Sequence, residues 1–332
     1  MKKLLFVYNP HAGKGQIKNY LCDITDIFTK GGYEVVCYPT QAPKDGYEKI
    51  LHDGENYDLV VTSGGDGTLS EAVTALVQFP KKIPLGYIPA GSTNDVANSL
   101  SISRKMTDCA DDIMNGVYFD YDVGTFNNHT FVYVAGFGAF TDVSYETPQN
   151  AKNIFGHAAY IAEGLKRLSK IVGYEITVEH DGEAFTGNFI LGLISNSVSI
   201  GGMKKLIADD VKFDDGLFEV ILVKTPTTPL ELNKLIADAA LNKLNEPNFI
   251  TFKTAELRIT SNAEIAWTLD GESGGTHREV VIKNRKQAIR LVLRPNDHTA
   301  EQCAVKMINS QNDVLQTENG VVVFEDQKEI EN

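Results

Sequence analysis

The string Ser63-Gly64-Gly65-Asp66-Gly67-Thr68 has the composition of a phosphate-binding turn. It follows the β-branched run Asp58–Thr62 and precedes apolar residues at helical spacing, so we predict a strand-to-helix turn. Glycine lets the backbone approach an anion closely, and the free amides and dipole of a helix N-terminus attract negative charge. An ordinary tight turn needs one glycine rather than three around an acid. We expect Thr68 and Glu71 to form a capping box that starts the helix directly after the glycines.

Two further glycine-containing strings follow other strand-like runs. Asn9-Pro10-His11-Ala12-Gly13-Lys14-Gly15 comes after Leu4–Tyr8, and Pro89-Ala90-Gly91-Ser92-Thr93-Asn94-Asp95-Val96-Ala97 comes after Leu85–Ile88. Ser92 has a side chain suited to a helix N-cap or to a phosphate contact. Each string alone is weak, but ligands of parallel sheets bind at the carboxyl ends of the strands. Three such turns at one sheet edge therefore predict a pocket for a nucleoside triphosphate.

Two acidic strings lie in the second half of the chain. Phe213-Asp214-Asp215-Gly216-Leu217 precedes a clear strand, and Asp270-Gly271-Glu272 follows the strand-like Ile265–Leu269. Carboxylates beside a glycine at a strand end can bind a hard cation or act in acid–base chemistry. From the residues alone, an ordinary turn is an equally good interpretation of the first string, and a surface turn remains open for the second.

The first 125 residues alternate between strand-like and helical runs. This order predicts βαβ units, and hence an α/β domain with a parallel sheet and helices on its faces. The predicted strands are Leu4–Tyr8, Glu34–Tyr38, Asp58–Thr62 and Leu85–Ile88, and the predicted helices include Gln16–Lys30 and Leu69–Gln78.

From about Asn128 the pattern changes to strands separated by turns. Asp181-Gly182 between two such runs predicts a β-hairpin, and the rest favours a mainly antiparallel sandwich or folded-over sheet. The predicted strands are Phe131–Val134, Tyr174–His180, Glu183–Ile194, Leu217–Val223, Leu257–Thr260 and Ala288–Leu293, with helices at Gly156–Ile171 and Thr228–Leu244. We therefore predict a nucleotide-binding domain over 1–125, joined by a returning segment at about 296–312, a β-rich substrate domain over 126–295, and an acidic, disordered tail over 313–332.

Composition excludes several classes of protein. The chain has 332 residues, 42% hydrophobic and 23% charged, which is close to globular averages and excludes a disordered or low-complexity chain. The net charge of −13 argues against non-specific nucleic-acid binding. No run approaches the roughly 18 apolar residues that a membrane span needs. The four cysteines have no CxxC spacing, so we expect neither a disulfide framework nor a zinc site, but a reducing cytosol.

The three glycine-rich strings, in this order and spacing, resemble the catalytic domain of diacylglycerol kinases and related lipid kinases. The soluble bacterial type is most similar, and sphingosine and ceramide kinases are similar too. The resemblance continues through Val143–Pro148, Phe213–Leu217 and Leu269–Glu272, and it covers roughly residues 3–295. Two departures are Ala12, where relatives often have serine or threonine, and Asn98, where many have arginine.

The resemblance implies that ATP lies along the GGDGT turn. The residues expected to bind ATP are Asn9, Gly13, Thr40, Gly65, Asp66, Gly67, Thr68, Glu71 and Ser92. It also implies a structural Mg²⁺ held by the Asp215 side chain and the carbonyls of Lys212 and Leu217. The Asp270-Gly271-Glu272 turn would face the γ-phosphate, and either Asp270 or Glu272 would be the catalytic base for the lipid hydroxyl.

The function implied is that of an ATP- and Mg²⁺-dependent lipid kinase of phospholipid biosynthesis. It would phosphorylate a primary hydroxyl of diacylglycerol or a related lipid at the cleft between the two domains. We expect a cytoplasmic protein that contacts the membrane transiently and peripherally; a homodimer stays open. Four basic residues could face anionic lipid, although a solvated helix face explains them equally well; they are Lys152, Lys166, Arg167 and Lys170.

Two rival functions remain. NAD kinases and phosphofructokinases resemble the GGDGT region, so a kinase of a soluble substrate is one alternative, although the GSTNDVA and LDGE strings favour the lipid branch. A nucleotide- or lipid-binding regulator without turnover is the other. Against it stand four acids that such a protein need not keep, namely Asp66, Asp215, Asp270 and Glu272.

Overall fold

The computed structural model describes residues 1–138, 173–200, 203–204, 211–240, 243–244, 246–296 and 299. Contacts group Met1–Arg294 into one compact unit and Pro295–Asn332 into a second. Several sequence features lie outside the described residues: the Val143–Pro148 string, the predicted helix Gly156–Ile171 with its basic residues, the acidic tail, and all but residues 296 and 299 of the segment expected to return.

The first half of the chain alternates strands and helices. Strand β1 lies between β2 and β3 and pairs with both in parallel, and β4 pairs in parallel with β3. The elements are β1 (Lys2–Tyr8), α1 (Ile17–Lys30), β2 (Tyr33–Pro39), α2 (Asp45–Asp53), β3 (Leu59–Gly64), α3 (Asp66–Leu76), β4 (Pro84–Pro89), α4 (Asp95–Ser99) and α5 (Met106–Asn115).

Strand β1 is buried on both faces, which explains its unbroken apolar sequence. Leu4 and Phe6 belong to the core cluster that includes residues of α1 and α5, whereas Leu5 and Val7 belong to the cluster that includes residues of α2 and α3. Successive side chains of a strand point to opposite faces. The helices therefore cover both faces of the parallel strands and leave the carboxyl ends open for a site.

The start of α3 differs from the sequence prediction. The helix begins at Asp66 with Gly65 as its N-cap, and no side chain caps it. The predicted capping box of Thr68 and Glu71 is therefore wrong. The Glu71 carboxylate instead accepts backbone N–H groups at the start of α2, including that of Lys44.

The second half is mainly antiparallel. In the hairpin between β8 and β9, Asp181 and Gly182 both have positive φ, 49° and 81°, as a type I′ turn requires. The elements are β5 (Val117–Phe126), β6 (His129–Phe131), β7 (Val134–Gly138), β8 (Tyr174–His180), β9 (Glu183–Ser195), β10 (Ser199–Ile200), β11 (Met203–Lys204), β12 (Phe218–Lys224), α6 (Pro229–Ala240), β13 (Phe249–Thr254), β14 (Glu256–Leu269) and β15 (Glu272–Leu293).

Strand lengths in this half depart from the sequence prediction. The run Phe131–Val134 is not one strand, because β6 ends at Phe131 and β7 begins at Val134. The run Leu257–Thr260 is only part of the 14-residue β14, and Ala288–Leu293 is only the end of the 22-residue β15. Side-chain patterns mark the buried stretches of a strand and miss its exposed continuation.

The long strand β15 joins the two halves of the chain into one sheet. It pairs antiparallel with β14 and β5, and near its end Arg290 and Leu291 pair in parallel with Pro84 and Leu85 of β4. Together these pairings form a 13-stranded sheet, in which the parallel strands and the antiparallel strands are neighbours. Strand β15 therefore runs from the β14–β15 turn at its start to the parallel strands near its end. Within the described residues, no helix has the length and hydropathy required to cross a bilayer.

Candidate active site at the edge of the parallel sheet

The three glycine-rich loops leave the same edge of the sheet side by side. Hydrogen bonds continue the strand ladder beyond the strand ends: Asn9 donates its N–H to the Ser63 carbonyl at 2.9 Å, and Ala90 donates to the Gly64 carbonyl at 2.7 Å. Thr40, at the end of β2, donates its N–H to the Tyr8 carbonyl at 2.9 Å. The backbone therefore brings together the loops that the sequence predicted to share a site.

Glycines are required where these loops touch each other. A Cβ at Gly13, which has φ +57°, would lie 2.3 Å from the Ala90 carbonyl oxygen, and a Cβ at Gly91 would lie 2.5 Å from the Gly65 Cα. A Cβ at Gly65 itself would lie 3.4 Å from the Gly91 Cα, which is ordinary contact. Gly13 and Gly91 thus serve loop packing, while Gly65 has room for a side chain in the free protein.

Asn94 holds the third loop in shape. It has φ +54° and receives the Gly91 N–H on Oδ1 at 3.0 Å while donating Nδ2 to the Gly91 carbonyl at 2.8 Å. Tyr87 donates its hydroxyl to the Gly64 carbonyl at 3.1 Å, which ties the strand below the third loop to the second loop. Ser92 is exposed beside this turn.

Asp66 begins α3 and is mostly buried. Its carboxylate accepts the backbone N–H groups of Asp95 and Val96, and burial, with the nearby Asp95 charge, raises its pKa to about 6. Its Oδ1 atom is buried and has no hydrogen-bond partner. An orphaned carboxylate oxygen next to a phosphate-binding turn fits a cation that accompanies a nucleotide.

Glu71 and Thr68 are half-buried parts of the loop framework. Glu71 accepts the Lys44 N–H at 2.7 Å on Oε1 and also the N–H groups of Gly46 and Tyr47, so it fills the N-terminus of α2. Burial is the main reason that its pKa is raised. A Cβ at Gly64 would lie 2.2 Å from the Thr68 Oγ1 atom. Direct contact of either residue with ATP stays a prediction.

The Asp270 carboxylate accepts four hydrogen bonds. Its Oδ2 atom accepts the Val132 N–H at 2.7 Å and the Ser70 hydroxyl at 3.1 Å, and its Oδ1 atom accepts the N–H groups of Tyr133 and Val134 at 3.0 and 3.2 Å. The side chain is only 8% exposed. Burial raises the pKa of the carboxyl to about 6, and the four donors oppose that shift. Two donors on each oxygen use the lone-pair capacity of a carboxylate.

Glu272 lies two residues beyond Asp270 and is exposed. Its Oε1 atom lies 3.2 Å from the position that a Cβ would take at Gly67, in the first turn of α3. The structure therefore brings the Asp270-Gly271-Glu272 turn close to the GGDGT turn. Of the two acids in this turn, Glu272 is the accessible one.

Sequence reasoning did not name Ser70 or Tyr133 as site residues, and it placed Asp95 only within the third glycine-containing string. Ser70 contacts Asp270 although 200 positions separate them. Tyr133 lies in the run Phe131–Val134, which the sequence analysis predicts as one apolar strand. Only Asp95 carried a signal, because it lies in the third glycine-containing string and starts α4.

The Asp214-Asp215 turn is anchored by another buried carboxylate. Asp122 accepts the N–H groups of Gly216 and Gln287, each at 2.6 Å, and its pKa is raised to about 6, chiefly by burial. Asp215 uses Oδ1 to accept the Leu217 N–H at 2.9 Å. The Leu217 carbonyl accepts the Asn284 amide at 3.2 Å and keeps a second lone pair.

The residues of this turn fit a hard cation. Glu219 is 5% exposed, and its Oε2 atom has no hydrogen-bond partner. Burial is the largest cause of the raised pKa of Glu219, about 7, and the Asp215 charge adds to it. Within the described ranges, no three His, Cys, Asp or Glu side chains converge on one point, so a site here would combine one carboxylate with carbonyl oxygens, as Mg²⁺ accepts.

Sequence comparisons agree with the two-part organisation. Residues 3–126 match the family described as the diacylglycerol kinase catalytic domain, and residues 133–293 match the one described as the YegS C-terminal NAD kinase beta sandwich-like domain. The chain is 34% identical to a diacylglycerol kinase of Staphylococcus aureus strain MRSA252 over 278 residues, which is 82% of this chain and 87% of the relative. It belongs to the diacylglycerol kinase family of lipid kinases.

Other members of the diacylglycerol kinase family give the same result. The diacylglycerol kinase of Bacillus subtilis strain 168 is 32% identical over 279 residues, 83% of this chain and 91% of that protein. A crystal structure of a diacylglycerol kinase from Bacillus anthracis strain Sterne superposes with a TM-score of 0.71 at 21% identity, covering 89% of this chain and 97% of that one. This chain therefore has the same fold as the Bacillus anthracis structure.

We expect Gly91→Ala to spread the second and third loops, because its Cβ would lie 2.5 Å from the Gly65 Cα. The variant should lose roughly 1–3 kcal/mol of stability and bind ATP more weakly. Gly65→Ala is the matched control, since its Cβ meets Gly91 at 3.4 Å; it should keep its melting temperature. Calorimetric melting and ATP titration check both, and equal behaviour of the two variants would contradict the loop contact.

We also expect the metal-free and nucleotide-free protein to lose stability as pH rises from about 5 to 7. Asp66, Asp122 and Asp270 each have a folded-state pKa of about 6 against an ordinary value of 3.8. A raised carboxyl pKa stabilises the folded state fully below the ordinary pKa, and this stabilisation is lost as pH passes the folded-state pKa.

The measurement is the melting temperature in EDTA across this pH range. Surface repulsion in a chain of net charge −13 acts in the same direction, so the series is repeated in about 0.5 M NaCl, which screens exposed charges and leaves buried ones largely unscreened. A melting temperature that is flat or rises with pH in salt would show that these three carboxyls are not shifted.

Proposed function

We propose that this chain is an ATP- and Mg²⁺-dependent kinase that phosphorylates a primary hydroxyl of diacylglycerol or a related lipid. The observation that carries the proposal is the approach of Glu272 to Gly67, where a Cβ would lie 3.2 Å from Oε1. It puts an accessible carboxylate beside the turn that has the composition of a phosphate site. Relatives named diacylglycerol kinase, 32–34% identical over most of the chain, support the substrate class.

In this proposal the glycine-rich loops bind the triphosphate of ATP. The N–H groups at the start of α3 and in the first and third loops donate to phosphate oxygens. Asn9, Thr40 and Ser92 line the same sheet edge, and Asp66 presents its unpartnered Oδ1 atom. Mg²⁺ bound with ATP supplies neutralisation of the charge that develops on the transferred phosphoryl group.

The hydrogen bonds of the turn separate the roles of its two acids. A general base needs a free lone pair within reach of the substrate proton, and Asp270 already accepts four hydrogen bonds. Glu272 is exposed beside the phosphate turn. We therefore assign the base to Glu272 and assign Asp270 to holding the turn in place. Since phosphoryl transfer has a loose transition state, the base is needed only late in the reaction.

We assign the second acidic turn to a structural Mg²⁺. Asp215 and the carbonyls of Lys212 and Leu217 would hold it. The nearby Glu219 already has a positive partner, since its Oε1 atom lies 3.2 Å from the Lys253 Nζ atom. The Mg²⁺ would stiffen the turn that Asp122 fastens to β15 through Gln287.

We further propose transient contact with a membrane surface, because the acyl chains keep this substrate in a bilayer. A cytoplasmic location and assembly as a homodimer stay predictions from the sequence.

The direct test is transfer of radiolabelled phosphate from ATP to a panel of acceptors in mixed micelles. The panel contains diacylglycerol, monoacylglycerol, ceramide, sphingosine, phosphatidylglycerol and NAD. Labelling of a lipid only when Mg²⁺ is present supports the proposal. Labelling of NAD alone would make the chain a kinase of a soluble substrate, and ATP binding without any labelled product would make it a regulator.

We expect Glu272→Gln to lower turnover by roughly 10²–10⁴, the loss typical of a general base. Its melting temperature and ATP affinity should stay unchanged, because Glu272 is exposed. Asp270→Asn should instead lose stability, by about 2–4 kcal/mol, since one amide oxygen cannot accept the Val132, Tyr133 and Val134 N–H groups. Steady-state kinetics and thermal melting check the pair.

Two outcomes would contradict this division of roles. If both variants keep more than about a tenth of the wild-type turnover, the turn does not supply the base. If Asp270→Asn melts as the wild type does but loses turnover, the base is Asp270.

We expect Asp215→Ala to blunt the rise in melting temperature that added Mg²⁺ gives in the absence of ATP, because the mutation removes the only proposed side-chain ligand. Asp214→Ala is the matched control on the same turn. Thermal melting against Mg²⁺ concentration checks both variants. A wild-type response in Asp215→Ala would make the turn an ordinary one.

A further inference from the structure

Tyr133 is fixed at the boundary between the two halves of the site. It lies between β6 and β7, and its N–H donates to Asp270 at 3.0 Å. Its carbonyl accepts the Ser195 hydroxyl at 2.9 Å and the Asn196 N–H at 3.0 Å. The side chain is 6% exposed and packs in the core cluster that includes Leu69 of α3. The backbone of Tyr133 and the packing of its ring therefore hold the hydroxyl in one place.

The Tyr133 hydroxyl lies close to the acidic residues of the site. A Cβ at Gly271, between Asp270 and Glu272, would lie 3.9 Å from the Tyr133 hydroxyl oxygen. Burial raises the pKa of the phenol well above its usual value, and the charges of Asp270, Asp95 and Asp66 raise it further. The phenol therefore stays protonated at physiological pH and remains a hydrogen-bond donor.

Two other buried tyrosines near the site donate their hydroxyls to backbone carbonyl groups. Tyr121 donates to the carbonyls of Val132 and Asn196 at 3.3 and 3.0 Å, and Tyr87 donates to the Gly64 carbonyl at 3.1 Å. Within the part of the chain that the structure describes, the Tyr133 hydroxyl makes no such bond, and the neighbouring acids act on it through their charge. The hydroxyl is therefore a donor without a protein partner among these residues, and it is available to a ligand that enters the site.

We propose that the Tyr133 hydroxyl donates a hydrogen bond to the oxygen of the lipid hydroxyl that is phosphorylated, and so positions that oxygen between Glu272 and the phosphate loops. This inference rests on the proposed lipid kinase function. The acceptor hydroxyl needs a carboxylate for its proton and a neutral donor for one of its lone pairs. With Glu272 in the first role, Tyr133 supplies the second from its position beside Gly271.

In the transfer step Tyr133 keeps its proton throughout. The acceptor oxygen forms the new bond to the γ-phosphorus, and the bond between that phosphorus and the bridging oxygen of ADP breaks. The acceptor proton passes to Glu272. Tyr133 fixes which lone pair of the acceptor oxygen faces the phosphorus, which is a contribution of orientation.

The test compares Tyr133→Phe with Tyr121→Phe in the full chain. We expect Tyr133→Phe to lower kcat for diacylglycerol roughly 10- to 100-fold, the effect of one hydrogen bond to a reacting group. The KM for ATP should stay within about twofold, since that hydroxyl is no part of the phosphate loops. The melting temperature should stay close to that of the wild type, because the substitution removes no hydrogen bond within the protein. Tyr121→Phe should show the reverse, a melting temperature lower by roughly 2–4 °C with kcat nearly unchanged.

Three outcomes would overturn the inference. They are a Tyr133→Phe variant with at least half the wild-type kcat, one in which kcat and melting temperature fall together, and one that does not fold, since the hydroxyl would then be structural. Transfer to diacylglycerol by the wild type is measured in the same assay. If the wild type transfers phosphate and Tyr133→Phe does so equally well, only this inference fails. If the wild type transfers none, the proposed function fails with it.

Discussion

The arrangement of the site depends on one carboxylate and the four donors around it. Asp270 collects the N–H groups of three consecutive residues, Val132 to Val134, and the hydroxyl of Ser70 from α3. These donors come from both halves of the chain, so the carboxylate sets the position of the β14–β15 turn relative to the phosphate turn. Asp270 and Gly271 both have positive φ, 50° and 84°, and this tight reversal sends the next side chain, Glu272, back towards Gly67. Without the carboxylate, three backbone donors would be buried without an acceptor, which is why its removal affects the geometry before it affects any chemistry.

Asp122 uses the same device at the second acidic turn. It accepts the N–H groups of Gly216 and Gln287 at 2.6 Å each and thereby joins β5, β15 and the turn before β12. The two buried acids are themselves linked: Tyr121 bonds to the carbonyls of Val132 and Asn196, and the Asn196 amide donates to the Asp122 carbonyl at 3.2 Å. Both carboxyls have a raised pKa because burial penalises their charged form more than the backbone donors compensate. Burial of the two ionised carboxylates costs free energy, and their hydrogen bonds hold two turns in a fixed geometry. Buried acids with a raised pKa are typical of functional sites.

The sequence predicted well what is local. Strand β8 agrees with its predicted ends, and the glycine-rich loops could be recognised because strand period, glycine and helix start coincide within a few residues. Features that depend on distant partners could not be predicted. The capping box at Glu71 was wrong because its actual partner, Lys44, is 27 positions away, and nothing near Glu71 indicates it. Asp270 and Glu272 look equivalent in the string, and only burial separates them. Tyr133 lies in an apparently regular apolar run, and a pattern of side chains does not reveal that three consecutive backbone N–H groups donate to a carboxylate.

The charge of the site constrains how any phosphate can bind there. Asp66, Asp95, Asp270 and Glu272 all lie at or near the GGDGT turn. Beside burial, the charges of Asp95 and Asp270 help to raise the pKa of Asp66, and the charges of all three help to raise the pKa of Tyr133. Lys14 in the first loop is exposed, and backbone amides and a helix N-terminus supply the rest of the protein's own attraction for an anion at these loops. Those partial charges are too small to offset several full negative charges nearby together with a triphosphate. In the proposed nucleotide site, a cation that arrives with the phosphates would offset these charges, and the buried, unpartnered Oδ1 atom of Asp66 would be placed to meet it.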